Sequence, residues 1–194
     1  MSKQFKPMKA VSEKLGFGDL QYPVYGSLKI DGVYGLNLDG KLLGRSLKPM
    51  KNKWLTEKLS KFEFRGLCGE ISHADDVLFT LGLNRQDLCR STTSNVNTIE
   101  GGEFPLLWVL FDYVSDGSEE YCYKNDYTDR MMAMMQKLWH FGDYIGNTVT
   151  SGITFEHHVM FDVDILVQEL KEFKTPEELE AFYLESVQNG FVLI

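Results

Sequence analysis

The chain has 194 residues, 43% of them hydrophobic and 25% charged, a composition typical of a globular domain with its own core. A net charge of −8 by itself argues against strong nucleic-acid binding. The three cysteines are widely spaced and form no CxxC pair, which argues against a disulfide framework and a zinc site. The sequence has no apolar leader and no apolar run of membrane-spanning length, which argues against a membrane partner. We therefore expect a cytoplasmic protein.

The charge is distributed unevenly along the chain. Residues 1–65 carry 13 lysines and arginines against 6 aspartates and glutamates, whereas residues 66–194 carry 7 against 22. This contrast fits ordinary local variation, and it also fits a basic N-terminal surface that faces phosphates. Charge alone does not decide between the two interpretations.

The first third of the chain alternates between helix-like and strand-like patterns. Asp39-Gly40 between two apolar segments is a strong signal for a tight hairpin turn. The patterns predict a helix over 6–15, strands over 22–30, 33–38 and 41–45, and a helix over 52–62.

The remainder mixes strands and helices in irregular order. The apolar and aromatic run at 104–114 is typical of a buried central strand. Further predicted strands cover 65–72, 153–161 and 191–194, and predicted helices run from Asp126 or Thr128 to about Trp139, over 163–172 and over 176–188. Residues 75–90 are ambiguous, with helix as one option. Mixed elements of this kind predict an α+β domain with largely antiparallel sheet.

The run KIDG at residues 29–32 follows a predicted strand and precedes a hairpin. A lysine amine attacks an electrophile only after it loses its proton, which requires burial or neighbouring charges that lower its pKa. A rigid strand end beside a glycine, which lets a ligand approach closely, suits attack on a phosphate. The same four letters also occur by chance at strand ends, so the motif alone leaves both interpretations open.

Four segments, in order and with compatible spacing, resemble the adenylation domain of ATP-dependent DNA ligases of the short, phage-like kind. That family has a nucleophilic lysine in KxDGxR, where this chain has KIDGVY at 29–34. It then has SRxxKPxPN and LDGEL, against GRSLKPMKN at 44–52 and LCGEI at 67–71. The run WVLFDY at 108–113 is similar to the family's aromatic-x-x-FD strand, and RSTTS at 90–94 resembles an RxTSA-like stretch. Residues after 114 resemble the family more weakly.

The resemblance implies an ATP-grasp-like nucleotidyltransferase domain, α+β, with antiparallel sheets flanked by helices. It implies ATP and Mg²⁺ as cofactors and nicked double-stranded DNA as partner, with AMP carried on a lysine and passed to the 5′-phosphate. The implied nucleophile is Lys29. The implied nucleotide-binding residues are Leu28, Lys29, Ile30, Arg45, Glu70 and Phe111. The implied metal ligands are Asp31 and Glu70, and the implied DNA-binding residues are Lys48, Lys51 and Lys53.

The chain departs from the family pattern in three places. Tyr34 stands where the family usually has arginine, and Cys68 stands where it has aspartate. At the family's EGxVxK element, either Asn189-Gly190 stands where Glu-Gly should be, or Gly190-Phe191 matches the residues just before Glu-Gly and the chain diverges there. The glutamate is absent from its place in both alignments. The lysine pair that follows it and the OB domain are not in the sequence. We therefore expect a single adenylation domain over 1–194, weak or inactive in sealing by itself, for which a partner chain could supply the other half.

Three alternatives stay open at this point. An RNA ligase or a capping-type enzyme shares the KxDG chemistry, although residues 45–52 favour the DNA ligase branch. A catalytically degenerate ligase-like domain would bind nucleotide, DNA or a partner protein without reacting. The sequence could also be a fragment of a longer gene product.

Overall fold

The computed structural model describes residues 7, 15–74, 85–115, 121, 124–150, 152–189 and 191–193. The strands in these residues are β1 (Val24–Gly26), β2 (Leu28–Lys29), β3 (Val33–Leu38), β4 (Lys41–Leu43), β5 (Leu67–His73), β6 (Leu106–Tyr113), β7 (Asp143–Thr150), β8 (Ile153–Met160), β9 (Val163–Gln168), β10 (Lys171–Phe173) and β11 (Val192–Leu193). The helices are α1 (Lys53–Leu59), α2 (Arg85–Asn97), α3 (Tyr127–Phe141) and α4 (Pro176–Gln188), with single 3₁₀ turns at Phe17–Asp19 and Phe62–Phe64.

In the described part of the chain, seven strands form one sheet in the order β4-β3-β5-β6-β9-β8-β7. Every neighbouring pair in it is antiparallel except β6 and β9, which run parallel. Two antiparallel pairs, β1 with β10 and β2 with β11, lie outside this sheet. The predicted α+β class is confirmed, and the parallel pair makes the main sheet mixed rather than purely antiparallel.

Strand β6 is buried on both faces, as its apolar sequence predicts. Trp108 and Leu110 pack in one core cluster with Leu55 and Leu59 of α1 and Met134 of α3. Leu107 and Val109 point to the opposite face, where a second cluster includes residues of β10 and α4. Because side chains alternate along a strand, β6 is the common wall of both cores.

The hairpin between β3 and β4 confirms the prediction from Asp39-Gly40. Leu38 pairs with Lys41, so the turn has two residues, and both have positive φ angles, +51° at Asp39 and +73° at Gly40. Aspartate and glycine tolerate this left-handed conformation, which matches the twist of the paired strands. The turn fixes the end of β3, the strand that follows the KIDG run.

The predicted helix over 163–172 is wrong, because those residues form β9 and β10. Strand β9 lies between β6 and β8, and four consecutive residues, 165–168, are buried. A short apolar run buried on both faces has no alternation to distinguish it from a buried helix. Strand β7 was also missed, since its sequence DYIGNTVT includes a glycine at a β-bulge and forms the sheet edge.

The other predicted elements are found with shifted ends. The single strand over 22–30 is two short strands, β1 and β2, and the helix over 52–62 ends at Leu59 before a separate 3₁₀ turn. Asp126 caps α3 and Thr175 caps α4, as predicted. The predicted helix over 6–15 and most of the ambiguous segment 75–90 lie outside the described residues, while 85–90 open helix α2. Among the described helices, none combines the length and apolarity needed to span a membrane.

We expect the buried ion pair between β6 and α3 to be a main determinant of stability. Arg130 donates to the two carboxylate oxygens of Asp112 at 2.7 and 3.2 Å, and both side chains are about 90% buried. Arg130→Met leaves the Asp112 carboxylate buried without its cation, so the free energy of unfolding should fall by about 3–5 kcal/mol in urea denaturation.

The matched control is the exposed pair of Lys53 and Glu100, which are 69% and 75% exposed. Lys53→Met should change stability by less than about 1 kcal/mol. Equal losses for Arg130→Met and Lys53→Met would contradict the prediction.

Candidate active site

Lys29 ends strand β2, and its amine bonds to the carboxylate of Asp31. Strand β2 is held on one side by β11, with Lys29 opposite Val192 and Leu28 opposite Leu193. The side chain of Lys29 is 40% exposed and that of Asp31 is 25% exposed. The amine is therefore accessible to a ligand while its backbone is fixed in a strand pair.

Gly32 brings the KIDG turn against strand β5. A Cβ atom at this position would overlap the carbonyl oxygen of Ile71 and lie 3.2 Å from Cβ of Glu70. Any larger residue would push the turn away from the sheet. The glycine thus places Lys29 and Asp31 beside Glu70.

Arg45 and Glu70 form an ion pair across two further segments of the chain. The guanidinium Nη2 donates to Glu70 Oε1 at 3.2 Å. Arg45 lies in the loop after β4 and its side chain is 51% exposed, whereas Glu70 is in the middle of β5 and its side chain is 15% exposed. The carboxylate is anchored in the sheet, and the guanidinium covers it from the solvent side.

Four charged groups of the site interact electrostatically. Burial raises the pKa of Glu70 from 4.5 to about 7, with Asp31 adding to the rise and Arg45 and Lys29 opposing it. Desolvation outweighs the neighbouring cations because only 15% of the Glu70 side chain is exposed to solvent. Glu70 therefore titrates in the physiological range.

Phe111 is the one exposed side chain in the otherwise buried strand β6, with 37% of its surface accessible. The Tyr127 hydroxyl donates to its carbonyl oxygen at 2.7 Å. Burial raises the pKa of Tyr127 to about 12, so the phenol stays protonated and keeps donating. An aromatic ring held at the surface by its own backbone can stack on a flat ligand.

Leu28 and Ile30 do not present their side chains to the other site residues. Leu28 is 3% exposed in the second core cluster, and Ile30 packs against the same cluster. Their predicted role in nucleotide binding could come only from their backbones. The core position of Leu28 fixes the residue next to the nucleophile candidate.

Gln168 holds that same backbone, and the sequence analysis missed it. With its amide nitrogen facing Leu28, Gln168 donates to the Leu28 carbonyl oxygen at 2.9 Å and accepts from the Leu28 N–H. Gln168 is 7% exposed at the end of β9, within the segment predicted as a helix. A glutamine closing the apolar run Ile165-Leu166-Val167 was the available signal.

The three predicted DNA-binding lysines lie on the surface, and Lys48 is three residues after Arg45 of the ion-pair cluster. Lys48 and Lys51 are exposed in the loop before α1, and Lys53 bonds to Glu100. Asn52 fixes this loop: its side chain accepts from Leu55 N–H at 2.9 Å and donates to the Asn95 carbonyl oxygen of α2 at 2.7 Å.

A surface cavity of about 510 Å³ lies along the exposed face of α2, in the segment that contains the RSTTS run. Its lining residues are Arg90, Thr93, Ser94, Asn97 and Thr98. A guanidinium, three hydroxyls and an amide at helical spacing make this face polar and suited to phosphate contacts.

Two carboxylates, Asp31 and Glu70, are the oxygen donors in the ion-pair cluster. In the described part of the chain, no group of three or more His, Cys, Asp and Glu residues could hold a metal by itself. Mg²⁺ commonly binds one or two carboxylates together with substrate phosphates, so the donor set fits a metal that arrives with a nucleotide.

The raised pKa of Glu70 predicts a pH-dependent stability. Between about pH 4.5 and 7 the native protein keeps a proton on Glu70 that the unfolded chain has released, so the free energy of unfolding falls as pH rises through this window. Relative to Glu70→Gln, the wild type should lose about 3 kcal/mol between pH 4 and 8. Urea titrations of both proteins measure the difference, and parallel pH profiles would refute it.

Removal of the Gln168 amide should loosen the strand that carries Lys29. In Gln168→Leu the Leu28 N–H loses its acceptor, and we expect its amide exchange to accelerate about tenfold. Hydrogen exchange followed by NMR measures this rate. Gln136→Leu, on the exposed face of α3, is the control and should leave the Leu28 rate unchanged. An unchanged rate in Gln168→Leu would contradict the inferred contact.

Comparison with known proteins gives a structural likeness. No known family and no curated protein matches the sequence. Two solved structures of Chlorella virus DNA ligase-adenylate are similar, with TM-scores of 0.66 and 0.62 and identities of 23% and 22%. Each match covers 98% of this chain and 60% or 59% of the ligase chain. The chain thus spans about three fifths of that ligase and has the DNA ligase nucleotidyltransferase fold over this length.

Proposed function

We propose that this chain is the adenylation domain of an ATP-dependent DNA ligase, in which Lys29 becomes covalently linked to AMP. The observation that carries the proposal is the assembly of Lys29, Asp31, Arg45 and Glu70, from three separate segments, into one electrostatic cluster. The ligase-like fold supports the proposal. The sequence supports it as well, because the four residues stand in segments that resemble the family's KxDG, SRxxKP and LDGE elements.

The chemistry assigns a separate task to each side chain. After losing a proton to solvent, the Lys29 nitrogen forms a bond to the α-phosphorus of ATP. The bond from that phosphorus to the pyrophosphate oxygen breaks, pyrophosphate leaves with the bonding electrons, and the nitrogen releases a second proton to solvent. Asp31 orients the amine through their mutual contact, and Arg45 offsets negative charge on the phosphate oxygens. Phe111 offers its exposed ring to the adenine. Positioning and charge neutralisation dominate such transfers.

A magnesium ion would be held by Asp31 and Glu70, together with the nucleotide phosphates. When bound, the ion neutralises charge on the phosphate oxygens. Glu70 must be ionised to serve as a ligand, and its pKa of about 7 makes it partly protonated in the free protein. Bound cations favour the ionised carboxylate, so metal and nucleotide would draw Glu70 into its charged form.

Transfer of AMP to the 5′-phosphate of a nick, followed by attack of the 3′-hydroxyl, is the proposed continuation. Exposed Lys48 and Lys51 and the polar face of α2 would contact the DNA backbone. A partner chain, or a further part of the same protein, would supply the remainder of the ligase length, which this chain does not span.

A second candidate is a ligase-like domain that binds nucleotide without reacting. One observation favours it: in one of the two alignments, the amide residue Asn189 stands where the family has its metal-binding glutamate. Strand β11 begins three residues after Asn189 and pairs with the strand of Lys29. The two candidates differ in covalent labelling.

Incubation with α-³²P-labelled ATP and Mg²⁺ should label the wild-type chain on Lys29, with release of pyrophosphate. Lys29→Ala and Lys29→Arg should lose the label, by at least about 10³-fold, because neither side chain offers an amine that can attack. Lys174→Ala, at a residue 73% exposed beside α4, is the matched control and should label like the wild type.

The outcomes separate the candidates. Binding of ATP without labelling would refute the adenylation proposal and favour the non-catalytic domain. Labelling with GTP in preference to ATP would point to a capping-type enzyme. Transfer of AMP from labelled protein to nicked RNA but not nicked DNA would exclude the DNA ligase assignment.

A further inference from the structure

Tyr34 and Cys68 stand where the KxDGxR and LDGEL elements of the ligase pattern have charged residues, and they contact each other. The Cys68 thiol donates to the hydroxyl oxygen of Tyr34 at 3.0 Å. The residues lie on the paired strands β3 and β5, and they are 7% and 2% exposed. Burial raises the pKa of both groups, so both remain protonated and neutral.

Because residues 34 and 68 contact each other, the two departures can be treated as the replacement of one residue pair by another. An arginine at 34 and an aspartate at 68 would lie close enough for an ion pair in this fold. Tyrosine and cysteine remove one positive and one negative charge together, which leaves the net charge of the site unchanged. Either change alone would bury a charge that the contact between residues 34 and 68 does not neutralise, which is unfavourable.

Tyr34 also contacts two residues of the proposed nucleotide site. The guanidinium carbon of Arg45 lies 5.3 Å from the centre of the Tyr34 ring. The Phe111 ring lies 6.1 Å away, centre to centre, at an angle of 47°. These distances suit a cation–π contact and a tilted aromatic contact. One buried ring therefore supports both the cation and the aromatic platform.

We propose that Tyr34, held by Cys68, is a positioning residue that sets the Arg45 guanidinium and the Phe111 ring for a purine nucleoside triphosphate. This inference rests on the proposed function, since it assigns Tyr34 to the same site. It makes the Tyr34–Cys68 pair a neutral replacement for an ion pair, with an aromatic support that arginine lacks.

The first test is a double-mutant cycle that needs no activity. Tyr34→Arg and Cys68→Asp should each lower the midpoint of urea unfolding, because each buries an unpaired charge. The variant with both changes should recover most of the loss. If the double variant is no more stable than the less stable of the two single variants, the compensated exchange is overturned.

The second test measures nucleotide affinity and labelling in folded variants. Tyr34→Leu should raise the ATP concentration for half-maximal binding about tenfold, as expected for loss of a cation–π and an aromatic contact, with a smaller fall in maximal labelling rate. Tyr144→Leu, an exposed tyrosine at the opposite edge of the sheet, is the control and should keep wild-type affinity. Unchanged affinity in Tyr34→Leu would overturn the positioning role.

The two proposals fail in different ways. If the wild-type chain binds ATP but is never labelled, the adenylation proposal is wrong. The ATP affinities of the variants then still test the positioning role of Tyr34. If the wild-type chain does not bind ATP, the positioning role is wrong as well. The double-mutant cycle in urea then tests only the Tyr34–Cys68 exchange.

Discussion

The pairing of β3 with β5 is the constraint on which the candidate site depends. Tyr34 is opposite Glu70 and Leu36 is opposite Cys68, so their side chains project from the same face of the sheet. A shift of one residue would turn Glu70 into the core and expose Ile71. The apolar residues of β5 that pack against α1 and α3 prevent this shift, since Leu67 and Ile71 are fully buried. Core packing thereby fixes the register of the polar groups.

Two opposing electrostatic effects act on the pKa of Glu70. The sheet desolvates the carboxylate, and Arg45 and Lys29 partly compensate with their positive charge. A carboxylate that retains a pKa of about 7 beside two cations can change its charge when a highly charged ligand arrives. The same residue can then be partly neutral in the free protein and ionised in the complex, without a change in the fold.

Support for the reactive groups comes from polar contacts that hold the neighbouring backbone and side chains. Gln168 holds the backbone of Leu28, Tyr127 holds the carbonyl of Phe111, and Arg130 pairs with Asp112 next to that phenylalanine. Such contacts limit the motion of the side chains above them, which matters in a reaction governed by positioning.

Sequence patterns were reliable where local chemistry decides the structure. The hairpin at Asp39-Gly40 follows from the conformational freedom of those residues, and the caps Asp126 and Thr175 follow from their side-chain oxygens. The sequence patterns failed at β9, because the conformation of this apolar run depends on its pairing with β6 and β8. No local pattern contains that information, because the partners are distant in the chain.

The sequence by itself determined the α+β class, the buried strand β6 and the candidate residues Lys29, Arg45 and Glu70, since composition, turn chemistry and motif order are written along the chain. Only the tertiary structure decided that Tyr34 contacts Cys68. Burial, pairing and distance between remote segments exist only after folding, and they determine the pKa of Glu70 and the support that Gln168 gives to the strand of Lys29.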